Sequence, residues 1–134
     1  MKIWTSYFAN MKEIHSQGLI SIAIVAFEPK FYTGLSYKLL APKPELLKTD
    51  QNQYKQLFAE MLNLINPDQV LKDLHSIGGG NDIALVCYES PEKFCHRHLV
   101  ARWLMDKTGL TIEELPNKKE IAVKDSGYVQ TSLF

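Results

Sequence analysis

The chain has 134 residues, 46% of them hydrophobic, and its 15 Lys and Arg balance 15 Asp and Glu to a formal net charge of zero. That length suits one domain with a real core. The composition excludes a disordered chain, and the charge excludes a protein that coats nucleic acid by bulk basicity. No apolar run approaches membrane-spanning length. Met1-Lys2 leads straight into Ile3-Trp4-Thr5 with no long apolar region, so no signal peptide and no membrane partner are expected. Two cysteines eight apart, Cys87 and Cys95, make no secreted disulfide framework, and a reduced, cytoplasmic setting follows.

In chain order, Lys2 to Tyr7 reads as a buried strand with β-compatible Ile3, Trp4 and Tyr7. Met11 to Ser16 reads as a short helix or turn, and Leu19 to Phe27 as a second central strand. Glu28 to Thr49, interrupted by Pro29, Gly34, Pro42 and Pro44, is a long loop, of the kind that serves as a lid or site wall or is pinned down by its aromatics. Tyr54, Leu57, Phe58, Met61 and Leu62 give a helix over 50–64 with Asp50 as N-cap. Pro67 opens another helix, whose buried face is Val70, Leu71 and Leu74. Gly78-Gly79-Gly80 precedes a strand instead of following one, so it is a turn and not a phosphate loop. Ile83 to Tyr88 is a strand buried on both faces, Ser90-Pro91 breaks it, and a helix with Leu99, Val100, Trp103 and Leu104 on one side follows. Lys107-Thr108-Gly109 caps that helix, and Leu110 to Leu115 is an edge strand. This order predicts an α/β fold, a single-domain, mostly parallel sheet flanked by helices in a Rossmann-like three-layer arrangement. The domain is expected over 1–116, with 117–134 as a C-terminal extension.

The stretch Cys95-His96-Arg97-His98 falls at the start of a helix, beyond the carboxyl end of a strand. Ligands bind there in open α/β sheets, and a helix N-terminus favours anions. Cys95 is the candidate nucleophile or anion contact, because the helix end and Arg97 lower a thiol's pKa. Its bland alternative is a small packed residue that happens to cap the helix. Arg97 is the candidate anion clamp. Glu89 is the candidate acid/base, set against a plain buried ion pair with Arg97 as the simpler reading. His96 and His98 are candidate anion contacts, and Thr5, Ser6 and Tyr7, ending a neighbouring strand, line the same mouth. The phosphatase pattern of a cysteine, five residues and an arginine fails: position 101 is alanine and the arginine is Arg102. One residue turns a helical side chain by about 100°. Cys95, His96 and His98, with Cys87 or Glu89 from the strand, are of the residue types that bind a metal, but Cys95 and His96 are adjacent and no paired-ligand spacing is present, so no metal and no cofactor are expected.

These residues carry a resemblance. Ile3-Trp4-Thr5-Ser6-Tyr7-Phe8-Ala9-Asn10, Pro29-Lys30-Phe31-Tyr32, and above all Val86-Cys87-Tyr88-Glu89 with Cys95-His96-Arg97-His98-Leu99-Val100-Ala101 resemble the domain of unknown function 488 family, small bacterial, archaeal and phage proteins. The likeness runs in order over residues 1 to about 115, with a departure at Phe27-Glu28. It implies an α/β fold and a site at the Cys-His-Arg block, with Lys30 and Tyr32 as further substrate contacts; it implies no established reaction. The tail Gln130-Thr131-Ser132-Leu133-Phe134 is similar to the bacterial sliding-clamp-binding pentapeptide, Thr131 being the departure. Leu133 and Phe134 would enter an apolar pocket and Gln130 would hydrogen-bond at its edge; the alternative is a tail that packs Leu133 and Phe134 on its own domain. Two readings follow. One is an enzyme-like domain acting on a nucleotide or other anionic, nucleic-acid-derived ligand in DNA metabolism. The other is a non-catalytic adaptor that holds the sliding clamp through Gln130, Leu133 and Phe134.

Overall fold

Strand β1 (Ile3–Tyr7), helix α1 (Met11–Ser16), strands β2 (Ile20–Ala23) and β3 (Leu35–Ser36), helices α2 (Gln51–Asn63) and α3 (Pro67–Ile77), strand β4 (Ile83–Cys87), helix α4 (His96–Thr108) and strand β5 (Glu113–Glu114) follow one another along the chain. They come from a computed structural model that describes residues 1–91 and 93–117. Ile121-Ala122-Val123 and the tail from Gln130 to Phe134 lie outside the described residues.

The five strands form one sheet in the order β3-β2-β4-β1-β5, and every pairing is parallel. Central β4 is buried at all five positions, as its unbroken apolar run requires. Crossovers between parallel strands are right-handed, so connections running in opposite directions along a sheet put their helices on opposite faces. The β1-to-β2 connection runs toward the β3 edge and carries α1. The β3-to-β4 and β4-to-β5 connections run the other way and carry α2, α3 and α4. The core divides accordingly. Ile14 of α1 packs in one cluster with Ala23, Val25, Ala84 and Val86. Phe58, Leu62, Val70, Leu74, Val100 and Leu104 pack in another with Ile22, Ile24, Ile83 and Leu85. The alternation Ile22/Ala23/Ile24/Val25 and Ile83/Ala84/Leu85/Val86 sends large side chains to the three-helix face and small ones to α1.

Local chemistry sets the ends of these elements. The Asp50 carboxylate accepts from the Gln53 N–H at 2.8 Å and starts α2. The Asn66 side chain accepts from Asp68 and Gln69 and starts α3, with Pro67 in the first turn. Gly109 ends α4 at φ 77°, where a Cβ is disfavoured. Three expected elements change, one of them the last strand, which spans Glu113–Glu114 instead of Leu110 to Leu115. β2 ends at Ala23 instead of Phe27, because residues 25–27 leave the sheet. The long loop contains β3, whose two residues are both exposed. Among the described residues, no helix is long and apolar enough to cross a membrane.

Candidate functional site

Strand β2 sends its connection outward to β3, while adjacent β4 sends its own across β1 to β5. The carboxyl ends of β2 and β4 therefore flank the point where the winding reverses, which is where open α/β sheets leave a crevice. One is present there, of about 510 Å³. Val25, Ala26 and Phe27 beyond β2 form one side, and Tyr88 and Glu89 beyond β4 another. Pro42, Leu47 and Thr49 from the long loop form a third, and Gln51 and Tyr54 at the start of α2 with Phe94, Cys95 and His96 at the start of α4 complete it. The second half of the long loop thus forms one wall of this crevice.

Four phenyl or phenol rings, those of Phe27, Tyr54, Tyr88 and Phe94, stand among its walls. Tyr54 and Phe94 meet edge to face, ring centroids 5.4 Å apart. Phe58 supports His96 from behind in the same manner, at 5.5 Å. The Tyr88 hydroxyl donates to the Phe27 carbonyl across the mouth, tying the β2 and β4 loops together. Phe27 and Tyr88 stay 66% and 49% exposed, so both rings are open to a ligand. Burial pushes the Tyr54 phenol up to about 12, so it is a neutral hydroxyl at physiological pH.

The floor is Cys95 and His96. His96 is buried, and its Nε2 faces the Ile24 carbonyl. A carbonyl only accepts, so Nε2 carries the proton. Nδ1 then presents its lone pair to Cys95 Sγ, 3.8 Å away. Burial, more than any neighbouring charge, lowers the His96 pKa from 6.5 to about 4, so the ring is neutral near pH 7. Cys95 is buried at the N-cap of α4, the position the bland reading gives it, and its side chain makes no capping hydrogen bond. Its sulfur meets that of Cys87 at disulfide-bonding distance. The turn after β4 folds back and brings the strand end, with Cys87, against the helix start, with Cys95, so the two cysteines read separately in the sequence share one place. In that bonded state Cys95 is not a free nucleophile.

Arg97 occupies a different place from the one expected. It is fully buried and donates from Nε and Nη2 to both carboxylate oxygens of Glu114, at 3.0 and 2.9 Å. Nη1 donates to the Glu89 carbonyl at 2.6 Å and to Cys87 Sγ at 3.0 Å. The ion pair anticipated with Glu89 is made with Glu114 of β5, and the Glu89 side chain is exposed at the crevice instead. A guanidinium committed in this way ties β4, α4 and β5 together and has no face turned to an anion in the crevice.

The other expected contacts gather outside the crevice. Thr5 Oγ1 donates to Glu114 at 2.6 Å, Ser6 Oγ accepts from Asn10 Nδ2, and the Tyr7 ring lies beneath Arg97 at 5.5 Å. These three belong to the β1 side, in the Arg97–Glu114 network or next to it, and do not line the mouth. Tyr32 closes the β2–β3 connection by donating to the Leu35 carbonyl at 2.6 Å, and Lys30 is exposed. His98 is half-buried beside Arg97 and Glu114; burial lowers its pKa, and its Nε2 has no hydrogen-bond partner among the described residues. Sequence reasoning missed Glu114, Phe27, Tyr88 and Phe94, and it assigned Tyr54 to the core alone. Gln130, Leu133 and Phe134 lie outside the described residues.

A family model described as the active DUF488-N3 subclade matches residues 20–108. That span is more than half of the chain and includes β2, β4, α4 and all the lining of the crevice. No curated protein and no solved structure matched. The chain belongs to the domain of unknown function 488 family.

Proposed function

From that membership, we propose that the chain is an enzyme-like domain whose crevice between the β2 and β4 ends takes a nucleotide-class ligand: a planar aromatic ring bearing an anionic group. The observation that carries this is the composition of the crevice. Phe27, Tyr54, Tyr88 and Phe94 offer ring faces and edges, and the start of α4, whose N-cap side chain makes no bond to the first turn, opens onto the same space. First-turn N–H groups lack helical partners and suit an anion, while aromatic walls suit a base or similar ring. Cys95 and His96 form the reactive floor, and Glu89 is the carboxylate at the mouth. Arg97 positions Cys87 and the β4 loop; it does not clamp the anion. The description of the matching subclade as active supports the enzymatic side of this reading.

Titration of the full chain with a panel of nucleoside monophosphates, followed by chemical-shift changes of the crevice aromatics, tests it. Saturable binding is expected, weakened roughly tenfold or more by Phe94→Ala and by Tyr88→Ala, the worth of one stacking contact. No saturable binding across the panel, or binding indifferent to both substitutions, would refute it.

A second reading rests on the tail sequence Gln130-Thr131-Ser132-Leu133-Phe134. In it the chain docks on a bacterial sliding clamp through Gln130, Leu133 and Phe134, which would bring the crevice to DNA without a basic surface. Micromolar binding to the clamp, lost in a chain ending at Val129, is the expected result. Equal binding by both chains would eliminate the tail as the contact.

A further inference from the structure

We infer that Cys87, Cys95 and His96, with both thiols reduced, form a binding site for a thiophilic divalent cation of the zinc type, whose fourth coordination position opens into the crevice. This deepens the reading of the crevice as a reactive site and rests on it.

Cys87 Sγ, Cys95 Sγ and a ring nitrogen of His96 all lie within 4.8 Å of one another, and all three residues are buried. Zinc holds sulfur at about 2.3 Å and imidazole nitrogen at about 2.0–2.1 Å in a tetrahedral set, which places a sulfur and a nitrogen roughly 3.6 Å apart. Cys95 Sγ and His96 Nδ1 are 3.8 Å apart. The imidazole is held in the tautomer a ligand needs. Nε2–H is fixed on the Ile24 carbonyl, so the free lone pair is on Nδ1, the atom facing the sulfur. A backbone carbonyl on the far nitrogen is the usual outer partner of a metal-bound histidine. Arg97 Nη1, 3.0 Å from Cys87 Sγ, supplies a charged donor to a thiolate, and its own charge is balanced by Glu114.

Backbone spacing favours an ion over a direct sulfur link. The Cα atoms of Cys87 and Cys95 stand 7.1 Å apart, wider than the roughly 4.4–6.8 Å that disulfides usually span. Two thiolates sharing an ion need no such approach. Three protein ligands of the Cys₂His kind with an open fourth position match catalytic zinc sites, whereas closed structural sites use four. Cys95 and His96 face the crevice, so the open position looks into the space a ligand would fill.

The balance is simple. Oxidised Cys87 and Cys95 first take two electrons and two protons from a thiol or phosphine reductant. The ion then displaces both thiol protons into solvent and binds two thiolates and one neutral imidazole. Ion and disulfide exclude one another.

The test uses the full chain, reduced with a phosphine, with free thiols counted, and titrated anaerobically with cobalt(II). One equivalent is expected to give a sulfur-to-cobalt charge-transfer band and intense tetrahedral d–d bands, both displaced by zinc. The bands should vanish in Cys87→Ser, in Cys95→Ser and in the disulfide-closed protein. Should those variants fail to fold, X-ray absorption of the zinc-loaded wild-type chain should count two sulfurs and one imidazole nitrogen on the metal. No charge-transfer band with both thiols shown to be free, or a metal shell without sulfur, overturns the inference. Nucleotide titration of the metal-free, disulfide-closed chain separates the two proposals. Nucleotide binding without a cobalt signal sinks the ion site and leaves the crevice reading standing. A thiolate-bound cobalt signal with no nucleotide binding in either form sinks the crevice reading and leaves the ion site standing.

Discussion

Replacing Glu114 with Gln distinguishes Arg97 as a strut from Arg97 as an anion clamp. The substitution keeps the shape of the side chain and removes its charge. Arg97 is fully buried and the Glu114 side chain is 23% exposed. The change therefore strands a cation whose two strongest charge-assisted hydrogen bonds, at 3.0 and 2.9 Å, lose their acceptor charge. It also weakens the 2.6 Å bond from Thr5. Removing one partner of a buried pair costs about 3–5 kcal/mol. The partial exposure of Glu114 admits water and puts the expected loss at the low end, about 3 kcal/mol. For a chain of this size a urea m-value of about 1.5 kcal/mol/M turns that loss into a midpoint lower by about 2 M. The assay is urea unfolding followed by far-ultraviolet circular dichroism, with equal m-values in the two proteins. Because the guanidinium does not face the crevice, nucleotide affinity at low urea should stay within about twofold, a free-energy change of about 0.4 kcal/mol. A loss of stability below about 0.5 kcal/mol, together with a large change in anion affinity, would refute the strut and return Arg97 to the role the sequence suggested.

Three further outcomes follow from local geometry. The folded state holds His96 neutral to about pH 4 while the unfolded chain protonates it near 6.5, so the unfolded state binds more protons between those values. Stability of the metal-free protein should be fully present above pH 6.5 and fall by about 3 kcal/mol as pH drops toward 4; urea midpoints across that range check it, and His96→Gln should flatten the slope. Asp50→Ala removes the acceptor for the Gln53 N–H and should cost about 1 kcal/mol, read in the same unfolding assay. At Gly109, φ is 77° and an added Cβ would meet nothing within 4 Å; Gly109→Ala should therefore cost only the backbone term, about 1 kcal/mol, and a Tm unchanged from wild type would contradict that.

What could be read in the sequence was what local chemistry alone decides. The run from Ile83 to Cys87 is apolar because both faces are covered, and Asp50, Asn66, Pro67 and Gly109 mark helix ends by their own hydrogen bonds or backbone freedom. The placing of the Cys-His block beyond a strand and before a helix follows from the same signals. Pairings set by sheet order were not legible. Glu89, just beyond the end of β4 and eight residues before Arg97, was the natural partner on paper. Glu114, 17 positions further on, reaches Arg97 only because β5 docks beside β1 and not beside β4. Thr5 and Tyr7 follow β1 to that same side. β3 has two exposed residues and no apolar pattern to announce it. Tyr54 sits on the apolar stripe of α2 and reads as core. Its contact with Phe94 depends on how α2 lies against α4, which no period in the sequence encodes.

The start of α4 departs from the rule that its neighbours obey. α2 and α3 are capped by Asp50 and Asn66 side chains, while the N-cap of α4 is Cys95, in extended geometry with no side-chain bond to the first turn. Serine fits the same space and caps well, a gain of about 1 kcal/mol over a non-capping residue. A position that forgoes such a gain where chemistry-bearing groups converge is where selection for function outweighs stability. Cys95→Ser, compared with wild type under reducing, metal-free conditions so that no link to Cys87 contributes, should leave stability equal or raise it by up to about 1 kcal/mol. The same variant should lose the thiolate-dependent properties of the crevice. If instead it is destabilised by more than about 1 kcal/mol under those conditions, the sulfur is there to fill space beside Cys87, and the case for Cys95 as a chemical group falls with it.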